Sequence, residues 1–221
     1  MVIDNRIIEI IKNSFFPMLE AGLIYTIPLT IVSFAIGLLI AVLVALIQIS
    51  KLSILKQIVK FYVWIFRGTP LLVQLFIIFY GLPNVGIKLE PIPSAIIAFS
   101  LNVGAYSSET IRAAILSVPK GQWEASYSLG MNYWQTLRRT IFPQAGKVSV
   151  PPLFNTFIAL VKDTSLAANV TVTEMFMETQ RIVARTYEPL VLYCEVAVFY
   201  LLFCTILSQI QKYSEKKLSI G

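Results

Sequence analysis

Four polar side chains recur along one otherwise apolar stretch of this chain. Asn102, Tyr106, Glu109 and Arg112 are separated by four, three and three positions, so a helix carries them on one face. Such a stripe can line a water-filled path, or it can bury against other helices. Glu109 and Arg112 are close enough to pair with each other, and structural pairing is the favoured reading for those two. Arg67 stands in Arg67-Gly68-Thr69-Pro70. Pro70 removes a backbone donor and Gly68 lets the chain bend, so a helix breaks there. A guanidinium at such a break can grip a carboxylate through two parallel hydrogen bonds, or it can cap freed carbonyls. Asp163 lies seven residues after Thr156 on the same helical face. Its carboxylate can hold an amino group, or it can cap the turn Asp163-Thr164-Ser165. A charge at mid-bilayer costs about 2.5–3.5 kcal/mol on insertion scales, so each of these groups demands a reason.

The surrounding elements are membrane helices. Of the 221 residues, 57% are hydrophobic, and the mean hydropathy is +0.74. That composition excludes an ordinary soluble domain. A span needs about 20 apolar residues. Five are read, near residues 22–49, 55–80, 92–116, 146–163 and 188–210. The second is interrupted at Arg67–Pro70, and the fourth is expected to break at Pro151-Pro152. Residues 1–20, with Asp4, Glu9 and Lys12, read as an interfacial amphipathic helix. They lack the basic start and cleavage site of a signal peptide, so the segment is expected to be retained. Residues 213–221 form a short tail.

The net charge of +6 is distributed as a membrane topology requires, which argues against nucleic acid. Lys51, Lys56, Lys60, Lys120, Arg138, Arg139, Lys147, Lys212, Lys216 and Lys217 fall on one side of a five-span chain. The positive-inside rule then puts the N-terminus outside and the C-terminus in the cytoplasm. There is no histidine, which excludes a histidine proton relay or metal site. Cys194 and Cys204 are ten positions apart on one helix, about 15 Å and beyond disulfide reach.

Between the third and fourth spans lies Lys120–Pro143, too polar to span and too patterned to be slack. Gly130 suits the left-handed residue that ends a helix. Asn132 suits the next N-cap, with Gln135 completing a capping box. Trp123, Tyr127, Gly130, Trp134 and Leu137 follow helical spacing, which predicts an aromatic stripe facing one way. Such an element between spans is expected to meet a soluble partner, with Trp123 and Tyr127 as apolar anchors and Glu124 as a charged contact.

Glu124-Ala125-Ser126, then Gly130, then Pro143 resembles the EAA motif of ABC-importer permeases. Ser126 replaces the usual second Ala, and Thr140-Ile141-Phe142-Pro143 stands for the usual Ile-x-Leu-Pro. Arg67–Gln74, Ala105–Glu109, Gly121–Ala125, Pro143–Ala145, Pro151–Leu153 and Lys162–Leu166 extend the similarity to the polar amino-acid permease family over most of the chain. The resemblance implies an all-α membrane protein with the type I ABC importer (MetI-like) fold of five transmembrane helices, built around a transmembrane domain at about residues 21–212. It implies a bacterial plasma-membrane subunit that is not an enzyme. Its partners would be two ABC ATPases per complex, a second permease copy or paralogue, and an extracytoplasmic amino-acid-binding protein. It makes the helix before Gly130 a coupling helix, with Trp123, Glu124, Ala125, Tyr127 and Gly130 at the ATPase contact.

In that frame, Arg67 with Gly68 and Thr69 is expected to hold a substrate carboxylate and Asp163 its amino group. Asn102, Tyr106 and Thr156 would shape the pocket. Family members that carry basic amino acids tend to place an acid where Thr156 stands, so a neutral polar amino acid such as cystine or glutamine is favoured. The chain has no Gly-x-x-x-x-Gly-Lys-Ser/Thr phosphate loop, so ATP and Mg would bind the partner. Two rivals stand beside this reading. One is an ATPase-independent carrier or channel, disfavoured by the lack of an inverted repeat. The other is a membrane enzyme using Glu109, Asp163 or Glu195.

Overall fold

The computed structural model describes residues 5–219. Asp4 lies outside the described residues, as do positions 220 and 221 of the tail. The elements are α1 (Asn5–Ala21), α2 (Ile27–Ile49), α3 (Ser53–Gly68), α4 (Leu71–Phe76), α5 (Pro91–Ser117), α6 (Lys120–Ser128), α7 (Tyr133–Thr136), α8 (Phe142–Asp163), α9 (Met175–Thr186) and α10 (Pro189–Ser219). Short π or 3-10 turns extend several of them. An all-helical chain follows from its solvent: in hydrocarbon each backbone N–H and C=O must be paired within the segment.

Asn5–Ile49 and Pro189–Lys217 are each long and apolar enough to cross a membrane, and Ser53–Gly68 with Leu71–Val85 passes only as a broken pair. α5 has 27 residues and α8 has 22, long enough to cross at 1.5 Å per residue but less apolar. Their polar groups are covered by protein instead, as at Ser100, Ser107, Ser108 and Ser149. The expected break at Pro151-Pro152 is corrected: α8 runs continuously through both prolines. Proline φ is already helical, and the loss is confined to the N–H bonds that would reach back one turn. The long connection after α8 is also mostly helical, filled by a 3-10 turn at Thr164–Val170 and by α9.

The chain divides into two compact units. One comprises the chain up to Phe34, Leu71–Phe99 and Phe157–Gln209. Its core is Met18, Met175, Leu192, Val196 and Phe199, where α1 packs on α9. Glu174, fully buried, caps α9 by accepting from the N–H groups of Phe176 at 2.9 Å and Met177 at 2.7 Å. The Tyr200 hydroxyl donates to the same carboxylate at 3.1 Å.

The other unit comprises Ala35–Pro70, Ser100–Thr156 and the chain from Ile210 on. Its core is Ala114, Ile115, Val118, Leu137, Ile141 and Ala145, with Trp123 packed against it. Here small residues set the helix spacing. A Cβ on Gly104 would meet Ile40 Cγ2 and Tyr62 Oη, both at 2.7 Å, so α2, α3 and α5 approach closely at that point.

Burial pushes the Glu174 carboxyl up from 4.5 to about 7, against the opposing pull of its three donors. The folded state therefore holds a proton that the unfolded chain releases earlier. The contribution of this one group to stability is fully present below about pH 4.5 and is lost as pH rises through about 7. Glu174→Gln should flatten that slope in thermal melts across this window; an unchanged slope would assign it to other groups.

Candidate functional site

The predicted break is present. α3 ends at Gly68, and Thr69 adopts extended backbone at φ −123°, ψ 148°. A helix that stops here leaves its last carbonyls without intrahelical donors. Side chains from α5 approach them: Asn102 Nδ2 donates to the Phe66 carbonyl at 3.5 Å, and the Tyr106 hydroxyl to the Arg67 carbonyl at 3.4 Å. Thr69 Oγ1 donates back to Ile65 at 2.8 Å. With the carbonyls served by others, the guanidinium of Arg67 lies over the Tyr106 ring, 5.4 Å from its centroid, a cation–π distance. It makes no ion pair among the described residues. Arg67, Gly68, Thr69, Asn102 and Tyr106 are thus brought together at one break, with Arg67 and Tyr106 both exposed.

One turn along the same α5 face, Glu109 pairs with Arg112 at 2.8 Å, as the spacing predicted. Thr156 is half-buried and donates to the Pro152 carbonyl at 3.1 Å. Asp163 ends α8, is half-buried, and caps nothing with its side chain. The capping alternative for Asp163 is therefore not realised. Glu195 accepts the Ser14 hydroxyl at 2.6 Å. Glu109 and Glu195 are thus engaged in structural bonds.

The segment between α5 and α8 folds as its punctuation dictates. Gly130 is left-handed at φ +76°. Asn132 caps α7 with both halves of the capping box in place, each at 2.9 Å. The expectation of one aromatic stripe is corrected. Leu137 is fully buried while Trp134 is 66% exposed. The left-handed residue and the extended cap reset the helical phase, so positions before and after Gly130 no longer share a face. What forms instead is an aromatic cluster: Trp123 contacts Tyr127 at 6.5 Å and stacks on Tyr133 at 6.2 Å.

Tyr133 was not anticipated; its place one residue after the N-cap was the available signal. Burial, and secondarily Tyr127, pushes its phenol up. Ser126 is buried; its hydroxyl donates to the Gln122 carbonyl at 2.8 Å and accepts from the Thr140 hydroxyl at 2.9 Å. The departure from Ala in the motif therefore adds a polar tie beneath α6. Glu124 and Ala125 lie on the exposed side, and the Glu124 carboxylate has no partner among the described residues.

A broken membrane helix beside a structured polar segment is the architecture of a transport subunit. The family pattern of the binding-protein-dependent transport system inner membrane component matches residues 34–220, and the chain belongs to that family. It is a translocation subunit, not an enzyme. The chain is 54% identical over 211 residues to the L-cystine transport system permease protein TcyB of Bacillus subtilis, covering 95% of this chain and 90% of that protein. It is 34% identical over 206 residues to the glutamine transport system permease protein GlnP of Escherichia coli, covering 92% and 94%. Among solved structures, an amino acid ABC transporter aligns with a TM-score of 0.89 at 32% identity, covering 98% of this chain and 100% of that chain. The inward-facing MetNI methionine ABC transporter aligns at 0.71 and 19% identity, covering 97% and 99%, which concerns the fold alone.

Losing the Asn132 cap should cost about 1 kcal/mol. Asn132→Ala is expected to raise amide hydrogen exchange at Gln135 roughly five-fold, with α10 amides unaffected.

Proposed function

We propose that this chain is the permease subunit of an ATP-driven importer of a neutral polar amino acid, L-cystine or glutamine, in a bacterial inner membrane. The observation that carries the substrate class is Arg67. It is an exposed guanidinium at a helix break that forms no ion pair among the described residues, and its positioning rests on Asn102 and Tyr106. Arg67 takes the substrate carboxylate, with Gly68 and Thr69 leaving room for it. Asp163, on separate grounds, takes the amino group: it is a half-buried carboxylate that caps nothing. Thr156 offers a hydroxyl and no charge, which suits an uncharged side chain. The names of the relatives, cystine and glutamine permeases, support the same choice.

Five spans carry this function, with the N-terminus outside and the C-terminus in the cytoplasm. Residues 1–20 lie at the interface, residues 21–212 form the transmembrane domain, and residues 213–221 form a tail. Two partner ATPases bind ATP and Mg, and a second permease copy or paralogue and an extracytoplasmic binding protein complete the complex. The coupling contact is Trp123, Glu124, Ala125, Tyr127 and Gly130. Glu124 supplies the charge, Tyr127 the exposed apolar area, and Trp123 ties the contact to the core of its unit.

Two tests separate the halves of this reading. Arg67→Ala and Asp163→Ala should each abolish uptake in proteoliposomes, at least about a hundred-fold, while the ATPase still co-purifies; normal uptake by both removes the pocket. Glu124→Lys with Trp123→Ala should lose ATPase co-purification and uptake together; retained assembly and uptake remove the docking contact. Uptake by the wild-type chain without any ATPase would favour an autonomous carrier.

A further inference from the structure

A second site lies in the unit that holds Arg67, beginning one turn of α5 beyond Tyr106. Gln48 of α2, Lys56 and Lys60 of α3, and Glu109, Arg112 and Leu116 of α5 line a cavity of about 500 Å³. Three cations face one carboxylate, and that carboxylate is already committed to Arg112 at 2.8 Å. Lys56 and Lys60 have no ion-pair partner among the described residues. They stand four apart on one helix, a spacing at which like charges repel. Gln48 is 5% exposed, and its Oε1 is buried with no hydrogen-bond donor. The cavity therefore lacks an anion for its lysines and a donor for its amide oxygen.

Its surroundings say which anion. The side of α3 turned away from the lysines presents Ile54, Ile58 and Phe61, each at least 58% exposed, as a helix facing hydrocarbon does, and Trp64, 70% exposed, lies one turn beyond Lys60 on its own face. Leu116, 61% exposed, adds an apolar wall to a basic lining. A basic pocket among membrane helices with an apolar wall fits a phospholipid better than a free anion. We infer that this cavity binds an anionic phosphoglyceride whose headgroup carries a hydroxyl, its phosphate on Lys56 and Lys60 and its hydroxyl donating to Gln48 Oε1. Phosphatidylglycerol has that chemistry. The site is independent of which amino acid is carried and of the Arg67 assignment.

The test uses the purified permease–ATPase complex in detergent, titrated with dioctanoyl phosphatidylglycerol and read by native mass spectrometry. Each lysine near an anionic lipid contributes about five-fold in affinity, so Lys56→Gln with Lys60→Gln should weaken binding about thirty-fold. Lys51→Gln, outside the cavity lining, should leave it unchanged. Phosphatidylmethanol has the same charge but no hydroxyl. It should bind more weakly than phosphatidylglycerol to wild type and equally to Gln48→Leu. Wild-type affinity in the double lysine variant overturns the site, as does equal binding of phosphatidylcholine. Glycerol 3-phosphate binding as tightly as the lipid identifies a soluble anion and overturns the lipid assignment.

Discussion

Hydrocarbon offers no hydrogen bonds, so wherever a helix in this chain stops, something within the protein must take up the freed backbone groups. The stop at Gly68-Thr69-Pro70 shows the consequence most directly. Asn102, Tyr106 and Thr69 itself attend to the end of α3. Because they do, Arg67 need not cap its own helix, and its charge is held over Tyr106. A residue that satisfies backbone at one end of a stripe thus also fixes where a charged side chain lies. The two roles open for Asn102 and Tyr106, buried stripe and pocket wall, need not exclude each other.

The same accounting governs α5 and α8. Neither contains a stretch as apolar as those within α2 and α10, yet both form long helices. Several of their serines are buried, and hydroxyls return to carbonyls one turn back, as at Ser108, Ser149 and Thr156. Gly104 lets Ile40 and the Tyr62 hydroxyl approach the α5 backbone. Polarity and close packing therefore arrive together, alongside buried apolar side chains such as Phe99, Ile115 and Leu160.

The polar segment between α5 and α8 obeys a different constraint, that of a short helix in water. Nine residues of α6 are too few to be stable alone. Three ties hold the helix: Trp123 in the core beside Leu137 and Ile141, Ser126 on Thr140, and Gln144 Nε2 on Gln122 at 3.2 Å. The exposed side, with Glu124 and Tyr127, is thereby presented rigidly. Motion imposed on Glu124 would be passed to α8 through these same ties.

Much of this was determined by the sequence alone, because it depends on local rules. The break at Pro70, the left-handed Gly130, the capping box of Asn132 and Gln135, and the Glu109–Arg112 pair each follow from residues within four positions of one another. Helix phase across Gly130 and continuity through Pro151-Pro152 were decided only by the tertiary structure. Phase depends on the accumulated dihedrals of a turn, and a proline's effect depends on whether neighbours tolerate its missing bonds. The partners of Ser126, the stacking of Tyr133 on Trp123, and the meeting of Lys56, Lys60, Gln48 and Glu109 around one cavity were likewise invisible. Most of these meetings join residues from ten to about sixty positions apart, as Trp123 with Tyr133, Ser126 with Thr140 and Gln48 with Glu109, and only packing brings such residues within reach of a hydrogen bond or a shared anion.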